Sequence, residues 1–354
     1  MEANTYARYK TTLLVAAGLF AVWGILGIFD VSNLPFNGYQ TDGNNTVTQI
    51  TDGGPAQQAG MQPGDYIRSI GGIAVEDAGA MARRPRAAVG ETRTFVVERG
   101  GETASLDLTY SGLPSTNKAL TFVAILMGFF FIGFGLWPYL NVQKASTLLL
   151  AIFGLTLGVS FFGGPYIASY AIRTATGIIT TLLVVTGFAT LLHFTLMFPK
   201  PKALLRKRFS RDLLYGPAAV IFLFLLYRGL FQPSATSAMN VITGVLIGLF
   251  ILSYFGLSLV AFVHSYVKAT AEERKAQGLT YVLAGVLVGF LPILVVVLVG
   301  LVAPGVVIPG GNFFFLTIVL IPISLAVAVL KSEHAPSRDP VLSEQAPAHV
   351  SLSA

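Results

Sequence analysis

Acidic residues are almost missing from the C-terminal two-thirds of this 354-residue chain. Between Lys118 and Lys331 the sequence has only Asp212, Glu272 and Glu273, and none of them lies within an apolar stretch. A soluble globular chain is about one-quarter charged, whereas this chain is 11% charged and 54% hydrophobic, with a mean hydropathy of +0.70. The composition excludes a soluble domain over this region and predicts a polytopic α-helical membrane protein.

Cysteine is absent altogether, and its absence removes several kinds of site. Disulfides, thiolate nucleophiles, cysteine-ligated zinc, iron–sulfur centres and a lipoprotein anchor all need a cysteine sulfur. We therefore expect no cofactor. The net charge of +6 does not indicate nucleic-acid binding, because the basic residues lie beside the apolar stretches.

Apolar segments of membrane-spanning length recur along the chain. About 20 mostly apolar residues are needed to cross the hydrocarbon core. Eight segments meet this requirement: 11–29, 119–140, 145–162, 177–198, 213–231, 241–267, 279–303 and 312–330. The first is interpreted as a retained signal anchor, because its apolar run is long and no small-x-small cleavage site follows Phe29. The other seven predict a membrane domain over 119–330.

Basic residues alternate between the connections, and the alternation predicts the orientation of the chain. Positively charged loops stay in the cytoplasm. Every second connection is basic, and the densest, 200–211, has six cations. The alternate connections contain no charge: 163–166, 232–237 and 303–311. We predict a multi-pass bacterial inner-membrane protein whose N-terminus (1–10) and disordered tail (332–354) are both cytoplasmic.

The one long hydrophilic connection, 30–116, is predicted to fold as a small α/β domain outside the cytoplasm. Alternating apolar residues predict strands at Thr46–Ile50 and Tyr66–Ile70. A hairpin is predicted around Gly100-Gly101, and Glu76–Arg84 is typical of a short helix.

Within this domain, residues 53–65 read Gly-Gly-Pro-Ala-Gln-Gln-Ala-Gly-Met-Gln-Pro-Gly-Asp and lead into a strand. Gly60 can end the short helix at positive φ, and Asp65 can bond the backbone amides of the turn before the strand. This order of elements resembles a bacterial PDZ domain. The resemblance implies that the domain binds an extended peptide, often a free C-terminus, as an added strand at an open sheet edge.

The same resemblance implies where the peptide lies. The loop that holds the terminal carboxylate would be 34–39, and the helix around Ala80 would form the opposite wall. The candidate groove residues are Phe36, Gly38, Tyr39, Val47, Ile50, Met81 and Arg84. Two alternatives stay open, because Met81 suits a core position and Arg84 suits a solvated helix C-terminus, where cations complement the macrodipole.

The membrane segments carry a second resemblance. The stretches that carry it are His193–Pro199, Leu214–Pro217, Glu273–Gln277 and Ile321–Ser324. They are similar to the multi-span sensor region of bacterial sensor histidine kinases, in which an outer PDZ domain can follow the first span. No phospho-acceptor helix or ATP-binding domain follows Lys331. The resemblance therefore implies a sensor region without its kinase, with a separate cytoplasmic kinase or other signalling protein as partner.

Four ionisable residues lie in or beside the predicted spans: Arg173, His193, Arg228 and His264. A charge near the bilayer centre costs about 2.5 to 3.5 kcal/mol. We interpret the histidines as neutral packing groups and the arginines as side chains that reach the headgroups. The alternatives are a proton- or ligand-linked role for the histidines and a ligand site on the outer side for the arginines.

Two other functions, a site-2 metalloprotease and a small-solute transporter, predict different features in the sequence. Membrane metalloproteases of the site-2 class also carry PDZ domains, but their H-E-x-x-H zinc motif is absent and no span contains a carboxylate. A small-solute transporter with a regulatory PDZ domain is the alternative, and it predicts a polar cavity at mid-membrane. A receptor or scaffold predicts a packed apolar bundle there.

The sequence therefore predicts a non-enzymatic membrane receptor or scaffold. Its PDZ domain would bind a peptide or protein tail and couple it to the membrane helices or to a cytoplasmic partner. The lipid bilayer is the other expected partner, and no nucleic acid is expected.

Overall fold

The computed structural model describes residues 6–231, 237–302 and 308–333, so most of the predicted tail lies outside the described residues. The helices are α1 (Tyr9–Asp30), α2 (Pro55–Gln58), α3 (Ala78–Arg83), α4 (Ser115–Asn141), α5 (Ala145–Ser160), α6 (Tyr170–Met197), α7 (Ser210–Phe231), α8 (Ser237–Lys268), α9 (Ala271–Ala276), α10 (Leu279–Val302) and α11 (Leu320–Glu333). Short 3-10 segments are Val31–Asn33, Ala203–Arg206 and Gly311–Val319.

The fold is mostly helical, and among the described residues seven helices are long and apolar enough to cross a membrane. The predicted span 145–162 differs, because α5 has only 16 residues. At about 1.5 Å per residue it reaches about 24 Å, less than the roughly 30 Å of a hydrocarbon core. Helix α6 begins at Tyr170, before the predicted start at residue 177, so Arg173 belongs to the helix.

Helices α4 and α5 approach each other through glycines. Gly135 of α4 and Gly154 of α5 lie so close that a Cβ built on either would be 2.7 Å from the other's Cα. A Cβ on Gly154 would also lie 2.4 Å from the carbonyl oxygen of Phe131. Small residues let helix backbones approach in membranes, where burial of apolar surface gives no drive to associate. The sequence Gly154-Leu-Thr-Leu-Gly158 therefore fixes this helix pair.

The centre of the bundle is apolar and is shared by several helices. Phe131 of α4, Phe153 of α5 and Phe194 of α6 are buried in one cluster. Leu279 of α10 and Val329 of α11 complete the same cluster. An ion pair between Lys144 and Glu333 joins the start of α5 to the end of α11.

The α/β domain lies between α1 and α4. Its strands are β1 (Pro35–Phe36), β2 (Tyr39–Thr41), β3 (Val47–Ile50), β4 (Tyr66–Ile70), β5 (Ile73–Ala74), β6 (Thr92–Arg99), β7 (Glu102–Thr109) and β8 (Ser111–Gly112). Four of them form an antiparallel sheet in the order β5-β4-β6-β7, while β2 pairs with β3 and β1 pairs with β8. Because β1 lies against β8, the chain enters and leaves the domain at neighbouring points, as an insertion between two helices requires.

Asp65 is the buried charge of this domain and is held by Arg99 of β6. The arginine donates from Nε to Oδ1 at 2.7 Å and from Nη2 to Oδ2 at 2.8 Å, and the Gln62 amide donates to Oδ2 at 2.8 Å. The hydrogen bonds from Arg99 lower the pKa of Asp65. The sequence predicted the bond to the turn amide but not the arginine that neutralises the carboxylate.

The domain and the basic loops lie at opposite ends of the bundle. Helix α6 has 28 residues and is therefore about 42 Å long. Arg173 in its first turn contacts the α/β domain, whereas its last turn leads into the basic segment that begins at Lys200. This arrangement places the α/β domain and the basic segment at opposite ends of α6.

Candidate peptide-binding site

Strand β2 has an edge without a neighbouring strand. It pairs antiparallel with β3 through Tyr39 opposite Ile50 and Gln40 opposite Gln49. No described strand pairs with its other edge. Strand addition at such an edge is the binding mode of PDZ domains.

The loop before β2 is fixed by the turn that precedes α2. The carbonyl of Asn37 accepts a hydrogen bond from the Ala56 amide at 3.0 Å, and the carbonyl of Gly38 accepts one from the Thr51 amide at 2.8 Å. Gly38 has a φ of +78°, and a Cβ there would lie 3.1 Å from Cδ of Pro55. Glycine is therefore required at this position. Phe36 lies just before the loop, in β1.

The apolar residues predicted to line the groove differ in burial, because one lies in the domain core and three keep accessible surface. Val47 is only 1% exposed and belongs to the domain core with Phe95. Tyr39, Ile50 and Met81 are half-buried and pack against that core, so they keep accessible surface. The Tyr39 ring meets Phe95 edge-on at 5.8 Å, and burial raises the pKa of Tyr39 to about 12.

Arg84 lies just after α3 and is half-buried, with Tyr39 and Tyr110 near enough to interact with its charge. Its Nη1 is buried and has no hydrogen-bond partner among residues 6–231, 237–302 and 308–333. Burial lowers the pKa of the Arg84 guanidinium. A buried donor without a partner is destabilising, so this nitrogen is suited to receive an anionic group.

Arg93 lies beside Arg84 and was not singled out from the sequence. Its Nε donates to Glu91 and its Nη2 to the carbonyl of Pro85, whereas its buried Nη1 has no partner in the described part of the chain. The sequence did contain a signal, because Arg93 lies on the same face of β6 as the buried Phe95 and Val97. An arginine on the inward face of a strand needs a reason.

The end of α3 is also tied to the membrane helices. Arg173 Nη2 donates to the carbonyls of Ala82 at 3.3 Å and Arg84 at 3.1 Å. Tyr166 donates its hydroxyl to the carbonyls of Arg86 at 2.9 Å and Ala87 at 3.0 Å. The sequence suggested headgroups or an outer ligand for Arg173, and its partner in the structure is the α/β domain.

The other polar candidates of the membrane part have partners among the helices or lie beside the basic loop. His193 Nδ1 lies 2.9 Å from the hydroxyl of Tyr215. Arg228 donates to Thr243. His264 lines a cavity with Lys202 near the basic loop. The structure therefore does not bring the four candidates, Arg173, His193, Arg228 and His264, into one site.

The comparisons with known proteins agree with this geometry for the domain. A PDZ domain family matches residues 46–99, from the start of β3 to the end of β6. The chain contains a PDZ domain. The matched range covers the Pro-Gly turn, α3 and Arg84, while β2 and its preceding loop lie outside it.

A relative extends the comparison beyond the PDZ family. The chain is 33% identical over 107 residues to "Putative zinc metalloprotease mll0638" of Mesorhizobium japonicum. This similarity covers 30% of the present chain and 29% of that protein, so the chain spans less than one-third of the relative.

This relative corrects the prediction of function. The sequence led us to expect a non-enzymatic receptor or scaffold, and the similarity to a protein named as a metalloprotease contradicts that prediction. The prediction that the chain is not an enzyme is wrong on the same finding. The prediction was weak because a missing H-E-x-x-H motif argues against one catalytic arrangement and not against enzymes in general.

A zinc ion requires donor atoms that converge on one point. Zinc in proteases is held by histidine and carboxylate side chains that converge on one point. No group of three or more histidine, cysteine, aspartate or glutamate residues converges within the described ranges. His193 is instead engaged with Tyr215. These residues do not fit a zinc ion, and we assign no step to one.

The bundle interior bears on the transporter alternative. A cavity of about 390 Å³ lies between the helices and is bordered by Phe131, Phe188, Phe255 and Phe290. Ser160 is the polar member of its lining, and no carboxylate borders it. An apolar cavity does not provide the water-filled path that a transported polar solute needs. This cavity therefore does not favour the transporter.

Proposed function

We propose that this chain is a membrane protease whose PDZ domain binds the C-terminal segment of a protein substrate. The observation that carries the proposal is that Arg84, near Tyr39 of β2, has a buried Nη1 without a hydrogen-bond partner among the described residues. The link to proteolysis comes from the relative named as a zinc metalloprotease.

The peptide is proposed to add as a strand to the free edge of β2. Its main chain supplies hydrogen bonds along the strand, and its side chains alternate between the groove and solvent. Tyr39, Ile50 and Met81 offer apolar surface to the buried side chains. Gly38 belongs to the loop at the start of the proposed groove, and Phe36 lies just before that loop in β1.

The terminal carboxylate is assigned to Arg84, with Arg93 as the second cation. A carboxylate would give each buried Nη1 its missing acceptor. Charge-assisted hydrogen bonds of this kind contribute about 1.5 to 3 kcal/mol. The chain thus supplies substrate recognition, and we derive no hydrolytic step from its residues.

The PDZ domain is proposed to lie outside the cytoplasm, with both ends of the chain inside. The alternation of basic and uncharged connections supports this orientation. The placement of the PDZ domain and the basic loops at opposite ends of α6 is consistent with it. Substrates would then be proteins that present a C-terminus on the outer face of the inner membrane.

Binding to the full chain in lipid nanodiscs tests the recognition step. A library of random decapeptides with free C-termini is screened, and the best binders are then made with amidated ends. We expect amidation to weaken binding at least tenfold, since it removes the charge that Arg84 receives. Equal affinity of the two forms would rule out a carboxylate at this arginine.

A pair of neighbouring arginines provides the matched variants. Arg84→Ala is expected to weaken binding of the free peptide about tenfold and to leave the amidated peptide unaffected. Arg83→Ala removes the same charge from an exposed neighbour and should change neither.

Proteolytic activity is tested in a separate experiment. The chain is reconstituted in vesicles with a single-span reporter that ends in the best binding peptide, and cleavage products are read by mass spectrometry. Cleavage that is lost with Arg84→Ala supports the proposal. Peptide binding without any cleavage would limit the function to recognition and remove the proteolytic assignment.

A further inference from the structure

Two cavities meet at the end of the bundle opposite the PDZ domain. One, of about 600 Å³, is lined by polar and basic residues that include Lys200, Lys202 and Lys268. The other, of about 550 Å³, is almost entirely apolar and lies between α7 and α8. Lys202, Leu204 and His264 line both, so the two cavities are contiguous.

The polar cavity has an excess of positive charge. Lys200 is paired with Glu273 at 2.8 Å, which neutralises the one carboxylate that borders this cavity. Lys202 is half-buried, and the partners of its Nζ are neutral: the carbonyl of Thr195 and the hydroxyl of Ser265. Lys268 adds a further cation at the end of α8. An anion here would meet Lys202 and Lys268, while the carboxylate that lines the cavity is paired with Lys200.

Burial disfavours the charged form of Lys202. Desolvation lowers the pKa of this lysine, which lies outside the spanning helices. A nearby anion favours the protonated form and opposes this effect. The position is therefore stabilised by an anionic ligand to a degree that an exposed loop lysine is not.

The apolar cavity opens sideways, towards the region of the lipid chains. Its outer walls are Leu213 of α7 and Leu257 and Val260 of α8, which are 60%, 54% and 65% exposed. Its floor contains the buried Leu192 and Leu214. A groove of this shape is suited to one hydrocarbon chain that enters from the bilayer.

We propose that these contiguous cavities form a specific site for an anionic phospholipid. The phosphate lies between Lys202 and Lys268, and one acyl chain lies in the groove between α7 and α8. The charge complementarity at one end and the apolar groove at the other select an amphiphile over a free phosphate or a neutral lipid. The site is independent of the peptide groove and of the proposed proteolytic function.

Native mass spectrometry and thermal unfolding of the full chain in mild detergent test the site. Three probes are compared at equal concentration: phosphatidylglycerol, phosphatidylcholine and soluble glycerol phosphate. We expect one phosphatidylglycerol to stay bound and to raise the unfolding temperature, with little effect of the other two. Equal effects of the two lipids would overturn the proposal, and an equal effect of glycerol phosphate would reduce it to a simple anion site.

Three variants distinguish a specific lipid site from a general attraction of anionic lipids to the basic loop. Lys202→Gln should weaken phosphatidylglycerol binding about fivefold, the contribution of about one cation near an anionic headgroup. Val260→Trp, at an exposed wall position, should block the acyl chain and weaken binding without unfolding the protein. Lys207→Gln removes the same charge from an exposed position outside both cavities. If Lys207→Gln weakens binding as much as Lys202→Gln, the proposal fails.

Discussion

Arg173, in the first turn of α6, donates a hydrogen bond from Nη2 to the main-chain carbonyl of Arg84 at 3.1 Å. The side chain of Arg84 is the one proposed to receive the peptide carboxylate. One residue of the PDZ domain is thus bonded to an apolar helix through its backbone, while its side chain carries the buried Nη1 to which the carboxylate is assigned. We therefore expect a change at Arg173 of α6 to affect the segment that carries Arg84.

Removing the guanidinium of Arg173 is expected to loosen the end of α3. Arg173→Ala loses the bonds to the carbonyls of Ala82 and Arg84, so amides in 80–87 should exchange faster with deuterium. Peptide affinity should fall severalfold, because binding must then order this segment. The measurement is hydrogen-exchange mass spectrometry on the full chain in nanodiscs.

A pair of tyrosines provides a gentler form of the same experiment. Tyr166→Phe loses the hydroxyl that bonds Arg86 and Ala87, and we expect faster exchange in 84–88. Tyr170→Phe, at the first residue of α6, serves as the control and should leave exchange unchanged. Unchanged exchange in Tyr166→Phe would mean that the docking contact does not stabilise this segment.

Asp65 should make the PDZ domain sensitive to acid. Its pKa lies below the ordinary value of 3.8, so its contribution to stability is present above that pH and is lost as the pH falls through the lowered pKa. Asp65→Asn should destabilise the domain by about 2 kcal/mol at pH 7, and the difference from wild type should shrink below about pH 4.

The measurement for Asp65 is the urea midpoint of residues 61–70, read by mass spectrometry after a short exchange pulse. Glu98→Gln breaks the exposed pair with Arg68 and should shift stability by less than about 1 kcal/mol. A pH-independent difference between wild type and Asp65→Asn would contradict the ionised pair.

The glycine contact between α4 and α5 predicts a steric effect. Gly154→Ala places a Cβ against the Phe131 carbonyl and should destabilise the bundle by about 1 to 3 kcal/mol. Gly133→Ala, in α4 but with nothing within 4 Å, is the matched control and should be neutral. Thermal unfolding in detergent distinguishes the two variants. Equal stability of the two would show that the contact between α4 and α5 accommodates an added methyl group.

The proposed orientation can be read from single cysteines, because the natural chain has none. Gly43→Cys, in an exposed loop of the PDZ domain, should react with a membrane-impermeant maleimide in cells with a permeable outer envelope. Lys207→Cys should react only after the inner membrane is broken. The reverse pattern would place the PDZ domain in the cytoplasm.

The long apolar helices and the PDZ domain were predictable because local sequence carries both. Apolar runs locate the helices, and the Gly-Pro-Ala and Pro-Gly-Asp turns locate the PDZ domain; the structure and the family match confirm a PDZ domain and several apolar helices. The kinship with sensor histidine kinases stays a prediction that no comparison shows. The function was predicted wrongly, since it rested on an absent motif.

The sequence by itself determined which segments avoid water and which turn motif folds the PDZ domain, because hydrophobicity and turn geometry act between near neighbours. Only the tertiary structure decided that Arg99 neutralises Asp65, that the buried Nη1 atoms of Arg84 and Arg93 have no partner among the described residues, and that Arg173 is bonded to the end of α3. These contacts join residues far apart in the chain, and hydrogen bonds form only when packing has fixed distance and direction.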